Sequence, residues 1–429
     1  MRPQSAEPIK ASGHAMTAST DPMRASGRRG AIQTAAEPTW MTIMTEMAPS
    51  PTPALDYDST LIMTVEVSDQ KWMVAAQVPG LARVTSKRTV VPEAEELMAA
   101  VEVYQRRAAA AGCNVKRVIV AYEAGRSAFW LARWLSRRGV EVHVIQPSSV
   151  PVDRRLRRAK SDGIDVELLL RTLLAWLRGE PRVCSMVPIP DQVDEDARRF
   201  VREREELLGE RIALTNRIDA VLATLGIRGY NPRRQDRRVR LEQLQTALGD
   251  PIPPHAQAKI VRMLDRLELV LAQLVELERQ RDAVIENEAP GRAEQMIQHL
   301  AQLRGIGMQS ATLLVREAFV REFANGKALG AYAGLVATPY SSGGSEREQG
   351  ISKAGNRRLR TAAVELAWLW LRYQPDSALV RWFHGRLGTG RRRVRKVLIV
   401  ALARKLLIAL WRYATQGVLP ENASLKAAA

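Results

Sequence analysis

The sequence predicts an α/β domain, then a long antiparallel helical arm, then a mostly α-helical C-terminal domain. Three observations carry this. Short apolar runs of β type begin abruptly at Leu61. Apolar residues recur at helical spacing over two long stretches rich in Glu and Arg. A Ser- and Gly-rich segment near residue 340 has helical patterns close on both sides.

Residues 1–56 are rich in Ala, Ser, Thr, Pro and Met and hold no apolar core, so the sequence predicts a disordered leader, or an overlong start. No secretory signal pattern is present in it. The runs at 61–66, 72–78 and 83–91, each bounded by polar or Gly/Pro punctuation, read as three antiparallel strands. A helix at 93–111, a strand at 116–122, a helix at 126–138 and a strand at 140–145 that stops before Pro147 follow. Three strands and then alternating helices and strands match the ribonuclease H-like fold, in a domain spanning 57–185.

Four acids in that domain are candidate ligands. Glu66 and Glu123 each close an apolar run, which puts both carboxylates at strand ends. Asp162 and Asp165 come from Lys-Ser-Asp-Gly-Ile-Asp at 160–165, where a spacing of three sets both on one face of the following helix. Oxygen-only ligands suit Mg²⁺ or Mn²⁺, and two such ions about 3.5–4 Å apart can assist both the attacking and the leaving oxygen of a phosphodiester. The five histidines are scattered without ligand spacing, and two cysteines provide neither a disulfide framework nor a thiolate zinc site. A reducing, cytoplasmic, nucleoid-associated setting fits.

Charge names the partner. Lys plus Arg number 64 against 46 Asp plus Glu, a net +18, which points to nucleic acid. Anionic membrane is the competing partner, but no run approaches the roughly 18–20 continuous apolar residues of a spanning helix. Arg154, Arg155, Arg157, Arg158 and Lys160 sit just before the last two acids. They read as phosphate contacts beside the candidate metal site, or as a solvated loop.

From Asp194 to about residue 226, and from His255 to about 288, the helical periodicity predicts two antiparallel helices, a coiled-coil arm within 186–290. Their connection carries Arg228, Arg233, Arg234, Arg237, Arg238 and Arg240. Such an arm serves for dimerisation, for nucleic-acid contact at its tip, or as a spacer. A helical domain at 291–415 and a tail at 416–429 complete the chain. At 304–307, Arg-Gly-Ile-Gly reads either as a turn whose amides approach a phosphate or as a helix cap. The segment at 332–345 and the basic Lys353, Asn356, Arg357 and Arg360 behind it read as a polar loop feeding a nucleic-acid-binding helix, or as a linker. Trp368, Trp370, Trp382 and Trp411 fall at helical spacing, which favours core packing over base stacking. The apolar segment 397–411 is interrupted by Arg404 and Lys405, which speaks against a membrane helix.

These residues carry a resemblance. Glu123-Ala124-Gly125, Lys160-Ser161-Asp162-Gly163-Ile164-Asp165, Gly334 to Gly343 and Lys353 to Arg360, in that order, resemble the insertion-sequence transposases with a RuvC-like (DEDD) acidic domain that are related to the Piv DNA invertase, the bridge-RNA-guided transposase and recombinase family. The resemblance runs from about residue 61 to 410. It implies a RuvC-like fold for the first domain and a DNA recombinase that joins the metal site to a serine nucleophile, here Ser342, with Ser341 as the adjacent rival. It also implies a homo-oligomer, dimer or tetramer, and a structured guide RNA beside the DNA. One departure stands out: Glu66 occupies the place of the usual Asp. Its extra methylene shifts the carboxylate by roughly 1–1.5 Å, and ångström-scale displacement can cost on the order of a hundredfold in rate. Asp69 is a fallback ligand. Two other readings stay open: a structure-specific nuclease or junction resolvase using the acids alone, and a nucleic-acid-binding relic disabled at Glu66.

Overall fold

The computed structural model describes residues 55–81, 86–125, 128–151, 162–287, 289–342, 345–388 and 392–427. The chain divides at Val187/Pro188 into two compact units.

In the first unit, β1 (Thr60–Glu66), β2 (Trp72–Gln77) and β3 (Ser86–Val90) form an antiparallel meander. After α1 (Ala94–Ala110) come β4 (Arg117–Glu123), α2 (Ala128–Ser136), β5 (Glu141–Ile145) and α3 (Asp162–Leu177). The sheet order is β3-β2-β1-β4-β5, with β4 parallel to both β1 and β5. The three expected antiparallel strands are all present, as are the alternating elements after them. Leu55 and Tyr57 pack on this core.

A continuous apolar run suits a strand covered on both faces, and β1 is such a strand: Leu61, Ile62, Met63 and Val65 are wholly buried. Ile62, Ala75, Ile119, Ala121 and Ile145 lie under α3 through Val166, Leu169, Leu170 and Leu173. On the opposite face, the Tyr122 hydroxyl donates to the Ala128 carbonyl at the start of α2.

The second unit opens with α4 (Gln192–Ala197) and α5 (Arg199–Thr224), passes through α6 (Arg237–Glu242), and returns on α7 (Pro254–Ile285). Both expected long helices form. Leu207, Leu214, Ile218 and Leu222 interlock with Ile260, Met263, Leu267, Leu274 and Leu277, and Arg204 near the start of α5 reaches Glu278 near the end of α7, so the pair is antiparallel. Then follow α8 (Arg292–Ala301), α9 (Met308–Leu314), a π-helical turn at Val315–Phe319 and α10 (Gly326–Tyr332). Next come β6 (Ala337–Ser342), β7 (Ser345–Ile351), α11 (Arg357–Tyr373), α12 (Ala378–Leu387) and α13 (Arg392–Gln416).

Their shared core holds Phe319, Leu366, Trp370, Phe383, Leu402 and Leu407. Trp370 is core and Trp382 and Trp411 pack against it, whereas Trp368 is 40% exposed with the Arg395 guanidinium 5.1 Å above its ring. The apolar segment 397–411 lies within α13, and among the described residues no helix is long and apolar enough to cross a membrane.

Two expectations are corrected. The segment expected as a polar loop is a β-hairpin; it holds few β-branched residues, Thr338 and Ile351, and the Gly-Gly pair between two runs was its hairpin signal. The expected tail folds back: Leu425 bridges to Leu303, and the Lys426 ammonium donates to the carbonyls of Ala301 (2.6 Å) and Ile306 (2.9 Å).

The interlock of α5 with α7 makes a direct forecast. Ile218, wholly buried, should cost about 2–4 kcal/mol when changed to Ala. Ile212 is 52% exposed, and the same change there should stay within about 0.5 kcal/mol. Hydrogen exchange of α5 and α7 amides in the full chain reads both; equal effects would refute the packing.

Candidate active site

The acidic corner is built by backbone register. Parallel pairing of β1 with β4 runs through Val65 and Tyr122, so Glu66 and Glu123, one position further, leave adjacent strands level with each other. Residues two apart share a face. Glu66 therefore follows Ile62 and Thr64, and Glu123 follows Ile119 and Ala121, onto the face that α3 covers. The buried Thr64 hydroxyl donates to the Val166 carbonyl at 2.9 Å, which pins the first turn of α3 to the middle of β1. That turn carries Asp162 and Asp165, favourably placed toward the positive helix end.

All four expected acids thus arrive at one corner of one unit, but their side chains do not form one coordination sphere. Among the described residues no three Asp, Glu, His or Cys groups stand close enough to hold one ion. Asp162 Oδ2 lies 3.1 Å from Lys71 Nζ, both about half exposed. Lys87 holds Glu167 at 2.7 Å on the next turn, and this hydrogen bond keeps the Glu167 carboxyl below its ordinary range. Carboxylates crowded together repel, and a cationic neighbour relieves that. The donor set is oxygen-only, so it matches a hard divalent cation in residue type and in backbone placement. Lys71 and Lys87 were not among the expected site residues; nothing in their local pattern separates them from surface lysines. His143 lies 2.8 Å from Glu141, with its ring tilted against that of Trp176. Arg154, Arg155, Arg157, Arg158 and Lys160 lie outside the described residues.

In the second unit, Ser342 is the last residue of β6 and pairs with Ser345; Ser341 pairs with Glu346. The hairpin's stem is tightly tied. Ser352 N donates to Val336 O at 2.8 Å, and Asn356 N donates to Tyr332 O at 2.7 Å. Gly355 has φ +112°, and a Cβ there would sit 2.2 Å from Tyr332 O, so only glycine permits this approach.

Two of the expected nucleic-acid contacts, Asn356 and Arg360, make bonds within the stem. Asn356 caps α11 by accepting from Leu359 N (3.0 Å) and donates to Glu317 (2.8 Å). Arg360 donates to the carbonyls of Ala333 (3.2 Å) and Lys353 (3.0 Å). Both side chains thus bond within the stem, Arg360 through its Nη1, because the backbone groups there need partners. Lys353 and Arg357 remain exposed. Glu317, which sequence reasoning missed, had a signal: Arg316-Glu317 interrupts the otherwise apolar run from Ala311 to Val320.

The Arg304–Gly307 turn is no anion cradle. Its Arg304 amide donates to Ser424 O, and a Cβ at Gly305 would lie 3.0 Å from Tyr373 Cβ, so that glycine serves close packing.

The arm's basic cluster is also mostly spoken for. Arg234 and Arg240 flank Asp236, Arg237 bonds Glu268, and Arg238 bonds Glu268 and Asp265. Among the described residues, Arg228 and Arg233 are the members with no ion pair.

Comparison with known proteins defines the class. Residues 297–381 match the model of the "Transposase IS116/IS110/IS902 family". The chain is 44% identical over 375 residues to "Putative transposase y4rJ" of Sinorhizobium fredii, covering 85% of this chain and 94% of that one. It is 30% identical over 296 residues to "Probable family 20 transposase" of Pseudomonas aeruginosa, covering 68% and 82%. It is 29% identical over 308 residues to "Transposase for insertion sequence element IS1328" of Yersinia enterocolitica, covering 70% and 84%. These define an insertion-sequence transposase, a DNA-recombining enzyme. The chain belongs to the IS116/IS110 transposase family.

The arm tip yields a pH forecast. The Arg238 hydrogen bond holds the Glu268 carboxyl down to about 2, below its ordinary 4.5. A depressed carboxylate stabilises the fold above its unfolded pKa and loses that contribution as pH falls through the folded one. Exchange protection in α6 should therefore hold down to about pH 4.5 and fade toward about pH 2. In Arg238→Ala protection near neutral pH should be lower and its acid-dependent loss smaller and complete at higher pH, because the folded pKa moves back toward the unfolded one; an unchanged acid limb would discard the pairing.

Proposed function

We propose that this transposase cuts and rejoins DNA by using Ser342 as nucleophile together with divalent cations, Mg²⁺ or Mn²⁺, held by Glu66, Glu123, Asp162 and Asp165. One observation carries the reading: two strand-end glutamates and a two-aspartate helix turn converge by backbone on one corner of a mixed five-stranded sheet. That arrangement is the one a ribonuclease H-like, RuvC-like nuclease domain requires, and the expected first-domain fold is proposed on the same ground. Bound there, the cations would supply Lewis-acid stabilisation of charge on the phosphodiester oxygens.

The chain's own residues do the rest. The Ser342 hydroxyl attacks phosphorus and loses its proton, a serine–phosphate bond forms, and the bond to one DNA oxygen breaks with that oxygen leaving as a hydroxyl. A later strand's hydroxyl displaces the serine and restores it, so the bond energy is conserved. A serine hydroxyl is a weak nucleophile without assistance, which the bound cations would supply. The exposed Lys353 and Arg357 behind the hairpin suit backbone phosphates. The family resemblance adds a structured guide RNA and a homo-oligomer, dimer or tetramer, as partners, with one subunit's acids completing another's serine site.

Denaturing gels with suicide DNA decide the chemistry. The natural chain should form a covalent adduct that Ser342→Ala abolishes, and Asp165→Asn should remove cleavage by at least about a hundredfold while DNA binding persists. Cleavage without an adduct would establish a hydrolytic nuclease instead, and an adduct lost only in Ser341→Ala would move the nucleophile by one residue. Glu66→Asp tests the departure at β1: a gain of ten- to a hundredfold in cleavage is expected from a better-placed carboxylate. Equal activity would show that Glu66 is already well placed.

A further inference from the structure

We propose that Glu317 is a positioning residue for Ser342: its buried carboxylate ties the leaving foot of the β6–β7 hairpin to α5, while its main-chain carbonyl holds the entering foot. The inference rests on the serine reading above for its catalytic meaning; the clamp itself rests on geometry.

Glu317 is 3% exposed and lies in the π-helical turn at Val315–Phe319. Such turns are rare and gather at functional sites. Its Oε2 accepts from Asn356 Nδ2 at 2.8 Å, and its Oε1 accepts from Arg202 Nε on α5 at 3.2 Å. Its main-chain carbonyl accepts from the Tyr332 hydroxyl at 3.1 Å, and Asn356 Nδ2 also reaches that hydroxyl at 3.3 Å. Tyr332 stands just before the hairpin and Asn356 just after it. One acid therefore holds the entering strand, the leaving strand and the arm helix.

The stem invests in this contact. Gly334 and Gly355 have positive φ, and so does Lys353 at φ 55°. A Cβ on Gly334 would meet Ala354 O at 2.4 Å, and one on Gly355 would meet Tyr332 O at 2.2 Å. The backbone is bent into left-handed conformations to bring the feet together. A buried carboxylate is costly unless every oxygen is satisfied, and here three side-chain donors, from two directions, meet it or its carbonyl.

The backbone bonds of the stem and the Arg360 guanidinium close the two feet on each other, and the Glu317 carboxylate is what joins them to α5. Among the described residues, the apolar core takes only Ile351 from it. From Ala337 to Ser342 the strand extends about 17 Å, so a tilt of about 5° at the stem moves its end by about 1.5 Å. Displacement on that scale costs on the order of a hundredfold in rate.

The test reverses the polarity of one hydrogen bond. Glu317→Gln leaves the introduced amide facing either Arg202 or Asn356 donor-to-donor. Asn356→Asp sets carboxylate against carboxylate. The double variant Glu317→Gln/Asn356→Asp restores both: the aspartate keeps capping Leu359 N and accepts from the new amide, whose oxygen still faces Arg202. Two readouts are taken on the full chain: hydrogen exchange of the β6–β7 amides, and the rate of Ser342-dependent adduct formation on suicide DNA. Each single variant should speed hairpin exchange and slow the adduct by tenfold or more, with DNA affinity changed by less than about twofold, and the double should recover most of both losses. Singles with unchanged exchange, or a double no better than the worse single, would overturn the proposal. If a single variant fails to fold, the double decides: restored hairpin protection upholds the clamp and continued failure overturns it. If the natural chain makes no serine adduct while exchange follows the expected order, the clamp stands and the serine reading alone falls.

Discussion

The level register of β1 against β4 is the constraint on which the acidic corner depends. Side chains alternate with period two, so a slip of one residue between these parallel strands would send either Glu66 or Glu123 to the opposite face. β1 is protected against that slip because both its faces are buried: Leu61, Met63 and Val65 on one, Ile62 and Thr64 on the other. Thr64 extends the control to α3 by taking the Val166 carbonyl as its acceptor. Packing of apolar residues thus decides where carboxylates stand, although no carboxylate takes part in the packing.

The second unit solves a different problem. Its hairpin is polar in sequence, and among the described residues Ile351 is its share of the helical core. Hydrogen bonds hold its stem, from Asn356, Arg360, Tyr332 and Glu317. This explains why a stretch of basic and amide residues that reads as a nucleic-acid contact surface splits in two. Asn356 and Arg360 turn inward to serve backbone carbonyls and a buried acid, while Lys353 and Arg357 stay at the surface. A side chain already bonded to buried groups cannot be released to a phosphate without leaving those groups unpaired.

The same distinction governs charge on the arm. A net +18 does not translate into free cations wherever arginines cluster. Arg234, Arg237, Arg238 and Arg240 close the arm's tip by bonding Asp236, Asp265 and Glu268, and these pairs lower the tip's net field. The C-terminal segment behaves likewise, with Ser424 and Lys426 spent on the Arg304–Gly307 turn and the end of α8.

By itself the sequence determined the elements of the first unit, both arm helices and the strand-end positions of Glu66 and Glu123, because those features are written in local periodicity and in where apolar runs stop. It also determined Asp162 and Asp165 as a same-face pair, a consequence of helical spacing. The tertiary structure alone decided what the polar residues of the second unit do. The hairpin has few β-branched residues to announce it, and its feet are held by a stem drawn from residues 317, 332 and 356. In the sequence Glu317 shows only as a charged break in an apolar run; its role as an anchor is decided by the fold, since its partners lie 15, 39 and 115 residues away. Hydrogen-bond partnership at such separations is set by the fold's three-dimensional closure, which no local pattern encodes.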